Sequence, residues 1–350
     1  MSLVYHGNIM LRVYDHLPAG LLDARVEGLE ALLGGPSLIH LPGRREPPLF
    51  VSVLLHGNED TGFYAVQGLL REFGSRPLPR ALSLFIGNVA AARHRLRRLD
   101  GQPDYNRVWP GGDCDPARPE CRMLAGVVET MRQRGVFASL DLHNNTGLNP
   151  HYACVNRIDH RFLHLATLFS RTVVYFVRPR GVQTLAFAPI CPAVTVECGQ
   201  PGPQRGVAHA REFLSACLHL AEIPRHPVSP HDLDLYHTVA TLRIPDDVSF
   251  TFGEAGADLC FSPEFDRLNF RELGPGTPLA RLCTAADGRP RVEVVDEAGH
   301  DVSGAYLVQV DGELRTRRPV MPSMLTRDAR IIRQDCLGYF MERYPLETAS

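Results

Sequence analysis

The sequence has no C-x-x-C pair, no apolar run near the ~20 residues of a membrane-spanning helix, and almost no net charge. Each of these shortages excludes something. A formal charge of −2 gives no electrostatic case for nucleic acid or an anionic membrane as partner. The first twenty residues, MSLVYHGNIMLRVYDHLPAG, lack a basic segment followed by an apolar stretch, so no secretory leader is read. The nine cysteines are odd in number and irregular in spacing, which argues for reduced thiols in a cytoplasm rather than a disulfide scaffold. Tryptophan occurs once, as Trp109.

What is present is ordinary globular material: 350 residues, 44% hydrophobic and 22% charged, long enough for one large and one smaller domain. The first two-thirds alternate strand-like apolar runs with helical stretches. The strands are expected at Leu49–Leu55, Leu82–Gly87, Phe137–Leu142 and Ala193–Glu197, and their continuous apolar character suits strands covered on both faces. Helices are expected at 62–73, 120–134, 161–170 and 206–222. This is an α/β domain on a mixed, largely parallel sheet flanked by helices. Pro224, Pro227 and Pro230 then mark a linker. Beyond it, short alternating runs at 239–244, 248–252, 291–295 and 306–310 read as a smaller β-rich domain. The expected division is 1–225 and 231–350.

Four motifs carry chemistry. In LLHGNEDTG, His56 and Glu59 follow a strand in a short turn that can aim an imidazole and a carboxylate at one point, the donor types of a zinc site. Alone, such a turn carries little weight. In DLHNNTG, His143 lies at another strand's carboxyl end, the edge where open parallel sheets bind ligands. Asp141, two residues earlier, points the same way and is a plausible contact of His143. In VTVECGQ, a third strand ends in Glu197, a carboxylate placed to take a proton from water and return it to a leaving amine. In YNRVWPG, Asn106 and Arg107 offer an amide and a guanidinium fork suited to a carboxylate. The basic run Arg93–Arg98 is read either as a solvated surface or as the source, through Arg97 or Arg98, of an oxyanion-stabilising charge.

In this order the motifs resemble the zinc carboxypeptidase superfamily, and within it the succinylglutamate desuccinylase/aspartoacylase branch. The pieces are HGNE at 56–59, GNVAA at 87–91, RRLDGQPDYNR at 97–107, DLHNNTG at 141–147 and VECG at 196–199. The resemblance covers residues 45–215 in detail. It implies one zinc ion per chain on His56, Glu59 and His143, and Glu197 as general base and acid. Asn106 and Arg107 would hold the substrate carboxylate. An arginine would polarise the scissile carbonyl; Arg97 is preferred because Arg98 then stands where the family has tyrosine. The implied reaction is attack of metal-activated water on the amide of a small N-acyl amino acid. No arginine aligns just before Glu197, and no tail tyrosine is identifiable, so the chemistry transfers further than the substrate does. The alternatives are a metallocarboxypeptidase trimming peptide C-termini and, in another class, a catalytically inactive binding protein. Self-association into a homo-oligomer is left open. His151, His160 and His164 show no metal spacing, Cys198 is read as a buried structural thiol, and Trp109 as packing.

Overall fold

The computed structural model describes residues 2–6, 9–253, 256–283 and 291–346, which include every site residue named above. The chain forms two units: residues 2–144 with 151–234, and residues 145–150 with 235–345. The short segment 145–150, just past the DLH motif, clusters with the second unit.

The strands of the first unit are β1 (Ser2–His6), β2 (Ile9–Tyr14), β3 (Ser37–Leu41), β4 (Leu49–Val53), β5 (Leu82–Ile86), β6 (Ala138–His143), β7 (Tyr152–Val155), β8 (Thr172–Tyr175) and β9 (Ala193–Glu197). They lie in the order β1-β2-β3-β5-β4-β6-β9-β7-β8. The middle, β5-β4-β6-β9, is wholly parallel. Antiparallel pairs join β1 to β2, β3 to β5 and β7 to β9, making the sheet mixed. The four central strands are buried along their whole length, which is why they read as mainly apolar runs rather than as strands with one solvated face.

The helices of this unit are α1 (Leu29–Leu33), α2 (Thr61–Phe73), α3 (Val89–Arg93), α4 (Pro119–Arg134), α5 (His160–Thr167), α6 (Gln183–Phe187) and α7 (Gln204–His219). They cover both faces of the sheet. On one face α2 packs against α7, and Gly62 approaches Leu142 and Val53 so closely that a Cβ would lie 2.7 Å from Leu142 Cβ. On the other face α6 lies over β6 and β9, with Thr184 Oγ1 3.3 Å from Thr195 Oγ1. α4 starts on Pro119, whose missing N–H costs nothing in a first turn, and stops at Gly135 with φ 75°.

The second unit is β-rich. Its strands are β10 (Asp234–Arg243), β11 (Phe250–Phe252), β12 (Leu259–Phe261), β13 (Pro278–Leu282), β14 (Glu293–Asp296), β15 (Leu307–Val310), β16 (Glu313–Thr316), β17 (Met321–Ser323) and β18 (Gly338–Arg343), with short helices α8 (Ser303–Tyr306) and α9 (Ala329–Gln334). β14, β10, β18 and β17 pair antiparallel, and β11-β12-β13-β16-β15 make a separate sheet. Leu242, Phe261, Phe265, Leu314 and Phe340 belong to its apolar core.

Two expectations change. The strand before the HGNE turn ends at Val53, not Leu55, because Leu54 takes a left-handed φ of 56° that turns the chain toward the site. For a non-glycine residue that conformation costs ~1–2 kcal/mol. The thiols are not all free: Cys114 is bonded to Cys121 and Cys260 to Cys283. Folding brings their Cα atoms to 6.2 and 6.7 Å, a proximity that irregular spacing along the chain conceals. Cys154, Cys191, Cys198 and Cys217 are free thiols, buried like Cys336. No helix among the described residues is long and apolar enough to cross a membrane.

Candidate functional site

The site gathers where β4, β6 and β9 end. β6 and β9 are in register at their last residues, so His143 stands beside Glu197, and one step back on the same face Asp141 stands beside Thr195. His56 and Glu59 arrive from the turn after β4. Gly57 permits that turn: a Cβ there would sit 2.2 Å from the Ala92 nitrogen, so only glycine lets the turn pass under α3.

His56, Glu59 and His143 offer donor atoms that all lie within 4.8 Å of one another, and all three residues are buried. Glu59 bridges the histidines. Its Oε1 is 2.8 Å from His56 Nδ1 and its Oε2 2.7 Å from His143 Nδ1. The far nitrogen of each ring meets another carboxylate: His56 Nε2 is 2.9 Å from Asp104 Oδ1, and His143 Nε2 2.8 Å from Asp141 Oδ2. A neutral ring that gives its Nε2–H to a carboxylate has Nδ1 as its lone-pair atom, so a metal bound here would meet two Nδ1 atoms that converge on Glu59. This donor set fits a divalent zinc ion: two imidazoles and one carboxylate, each imidazole backed by an anion.

The backing carboxylates are held in turn. Ser52 donates to Asp141 over 2.6 Å. Asp104 accepts the Asn106 N–H at 2.7 Å on Oδ1 and the Arg97 guanidinium, at 2.9 and 3.2 Å, on Oδ2. Asn144 donates its backbone N–H to Glu59 Oε2, and its side-chain oxygen accepts the Thr61 N–H at the start of α2.

Electrostatics follow this wiring. Burial, and Arg97 with it, pulls the His56 pKa down, but Glu59 and Asp104 outweigh both and leave it above the usual value. Burial likewise opposes charge on His143, and Asp141 and Glu59 reverse it, holding the ring well above its ordinary range. Burial would raise Glu59 and Asp104, yet the neighbouring cations keep both carboxyls low. Glu197 goes the other way. Burial pushes its carboxyl up to about 7, against the pull of His143 and with some help from Glu59.

The structure thus brings His56, Glu59, His143, Asp141 and Arg97 together, with Glu197 beside His143. Arg97 Nη1 lies 3.7 Å from Glu59 Oε1, while Arg98 turns away to donate to the Gln102 carbonyl. The rest of the basic run is spent on ion pairs, Arg93 with Glu30 and Arg95 with Glu27 and Asp60. Asn106 is buried with its Oδ1 accepting from the Gln183 N–H at 3.0 Å and its Nδ2 3.2 Å from His143 Nε2. Arg107 folds back so that Nη1 donates to the Asn106 carbonyl.

Asp104, Ser52 and Gln183 escaped sequence reasoning. The one available signal for Asp104 was a carboxylate two residues before Asn106, placed to bond that residue's N–H. Several other residues have local roles. Trp109 is fully buried, edge-on to Phe85 and Phe187. His151 stacks on His209, His160 accepts the Val228 N–H, and His164 donates to the His226 carbonyl. Cys198 is a buried thiol whose pKa burial raises well above the usual.

Residues 46–218 match the family model for the succinylglutamate desuccinylase/aspartoacylase catalytic domain. No curated protein matches the chain. Among solved structures, the succinylglutamate desuccinylase of Chromobacterium violaceum superposes with a TM-score of 0.54 at 18% identity, over 87% of each chain. Murine aminoacylase 3 gives 0.54 at 19% identity, over 86% of this chain and 97% of its own. The product-bound ectoine utilization protein of Ruegeria pomeroyi gives 0.53 at 16% identity, over 88% and 84%. At such identities these likenesses speak for the fold, and the family match covers the segment that carries the site. Residues 46–218 thus form a catalytic domain of the succinylglutamate desuccinylase/aspartoacylase family.

Proposed function

We propose that this protein is a zinc-dependent deacylase that hydrolyses the amide bond of a small N-acyl amino acid to a carboxylate and an amine. The observation that carries this reading is the wiring of the two histidines, each with Nε2 given to a carboxylate and Nδ1 turned to Glu59. His56, Glu59 and His143 would hold one zinc ion per chain, which supplies Lewis acidity toward water and the scissile carbonyl.

Glu197 is the general base and then the acid. A carboxyl brought to about 7 can be ionised to accept a proton from the attacking water and neutral to return it to the leaving amine. Arg97, anchored by Asp104 at the rim of the ligand set, stabilises the oxygen that becomes negative as the carbonyl is attacked. Asn106 and Arg107 receive the carboxylate of the substrate's amino acid. Burial of the ligands strengthens each of these interactions by excluding water.

Glu197→Gln tests the assignment. It keeps the shape and removes the base, so kcat is expected to fall by roughly 10²–10⁴ while zinc content stays at wild-type level. Full activity in that variant would overturn the mechanism.

A further inference from the structure

β6 and β9 end side by side, and past their last residues the Cys198 N–H donates to the His143 carbonyl over 2.9 Å. Beyond that bond the ladder is continued by a side chain. Asn144, the residue after His143, donates from Nδ2 to the Gly199 carbonyl over 2.8 Å. Gly199 takes a left-handed φ of 74°, where the chain leaves the sheet after Glu197. The two residues that follow Glu197 are therefore each tied back to the end of β6.

The same amide is fixed from its other side by α2. Its Oδ1 accepts the Thr61 N–H at 3.2 Å, and Nδ2 gives its second proton to Thr61 Oγ1 at 2.9 Å. Thr61 opens α2, whose first N–H groups have no acceptor within the helix. Asp60, at the N-cap, makes no side-chain cap bond and pairs with Arg95 instead, so Asn144 supplies the cap from another strand's end. These contacts decide the amide's orientation. Reversed, its NH2 would face the Thr61 N–H and its oxygen the Gly199 carbonyl. The backbone N–H of Asn144 meanwhile goes to Glu59 Oε2 at 3.2 Å. Asn144 is only 5% exposed, and both its amide protons are spent inside the protein, so it offers neither to a substrate.

We propose that Asn144 is a positioning residue: its side chain, steadied by Thr61, holds the Gly199 carbonyl and so fixes Glu197 relative to the proposed ligand Glu59. This rests on the function proposed above, and the test separates the two. Asn144→Ala removes the amide. Asn144→Asp keeps the shape and both Thr61 contacts, since a carboxylate accepts from the N–H and from the hydroxyl, but it sets an oxygen against the Gly199 carbonyl. The backbone N–H to Glu59 survives either substitution, so both variants probe the Glu197 end.

The readout is kcat against KM for an N-acyl amino acid, with the zinc Kd measured beside them. Misplacing a proton-transferring group costs rate rather than binding, so both variants should lose kcat roughly 10–100-fold. KM should stay within about threefold of wild type, and the zinc Kd should rise by no more than about threefold. Should Asn144→Ala fail to fold, Asn144→Asp decides. Wild-type kcat in a folded variant, or a kcat loss matched by an equal rise in zinc Kd, overturns the proposal. If wild-type protein cleaves no N-acyl amino acid, the functional reading fails, and amide hydrogen exchange on ¹⁵N-labelled protein still decides the positioning role. The Cys198 N–H, whose acceptor on His143 remains, should exchange about tenfold faster in both variants. Unchanged exchange would contradict it.

Discussion

Asp104 holds His56 from behind, its Oδ1 2.9 Å from Nε2, while its Oδ2 takes the Arg97 guanidinium. One carboxylate therefore backs the proposed zinc ligand His56 and fixes the place of Arg97, the arginine proposed to stabilise the oxyanion. Asp141 does the first of these tasks for His143.

Loss of either backing carboxylate should weaken the metal site without removing a ligand. Asp104→Ala and Asp141→Ala are each expected to raise the zinc Kd roughly 10–100-fold, measured by competition with a chromophoric chelator. Asp104→Asn should cost less, since an amide oxygen can still accept from Nε2–H. Wild-type affinity in both alanine variants would show that the histidines orient themselves.

Arg80 is a structural counterpart to these site arginines. It is buried, stacks with its Cζ 3.5 Å from the Phe137 ring centroid, and donates to the carbonyls of Pro47, Leu220 and Ala221. Arg80→Ala strands those oxygens and leaves a cavity, so stability should fall by about 3 kcal/mol or more in urea unfolding. A loss under 1 kcal/mol would contradict this role.

His40 supplies a pH dependence far from the ligands. Burial, with Arg134 nearby, lowers its pKa to about 4, and Nδ1 lies 2.9 Å from Ser83 Oγ. Above the unfolded value of about 6.5 both states are neutral and nothing is lost. As pH falls from about 6.5 to about 4, the unfolded chain takes up a proton that the folded one refuses, so stability drops. With the partial exposure of the ring allowed for, the loss should reach about 1–2 kcal/mol near pH 4. Denaturant unfolding of wild type and His40→Asn at pH 7.5 and 4.5 measures it, and the variant should show that much less acid destabilisation. Equal acid sensitivity would rule His40 out.

The central strands were legible because β4, β6 and β9 are buried on both faces and leave mainly apolar runs ending in His143, Glu197 and, a turn later, His56. The four-residue β7 and β8 and the five-residue α6 are too short for any period to show. Asp104 lay hidden for another reason. It reaches His56 across 48 residues from a loop, and no local pattern announces a contact made only by folding. Gln183 is subtler still, because its backbone rather than its side chain touches Asn106.

The most direct measurement is hydrolysis of a panel of N-succinyl, N-acetyl and N-formyl amino acids by the purified protein, with and without a chelator. The account predicts that at least one is cleaved to carboxylate and amine, that the chelator abolishes turnover, and that added zinc restores it. Turnover indifferent to the chelator, or no cleavage of any amide by zinc-loaded protein, would contradict it.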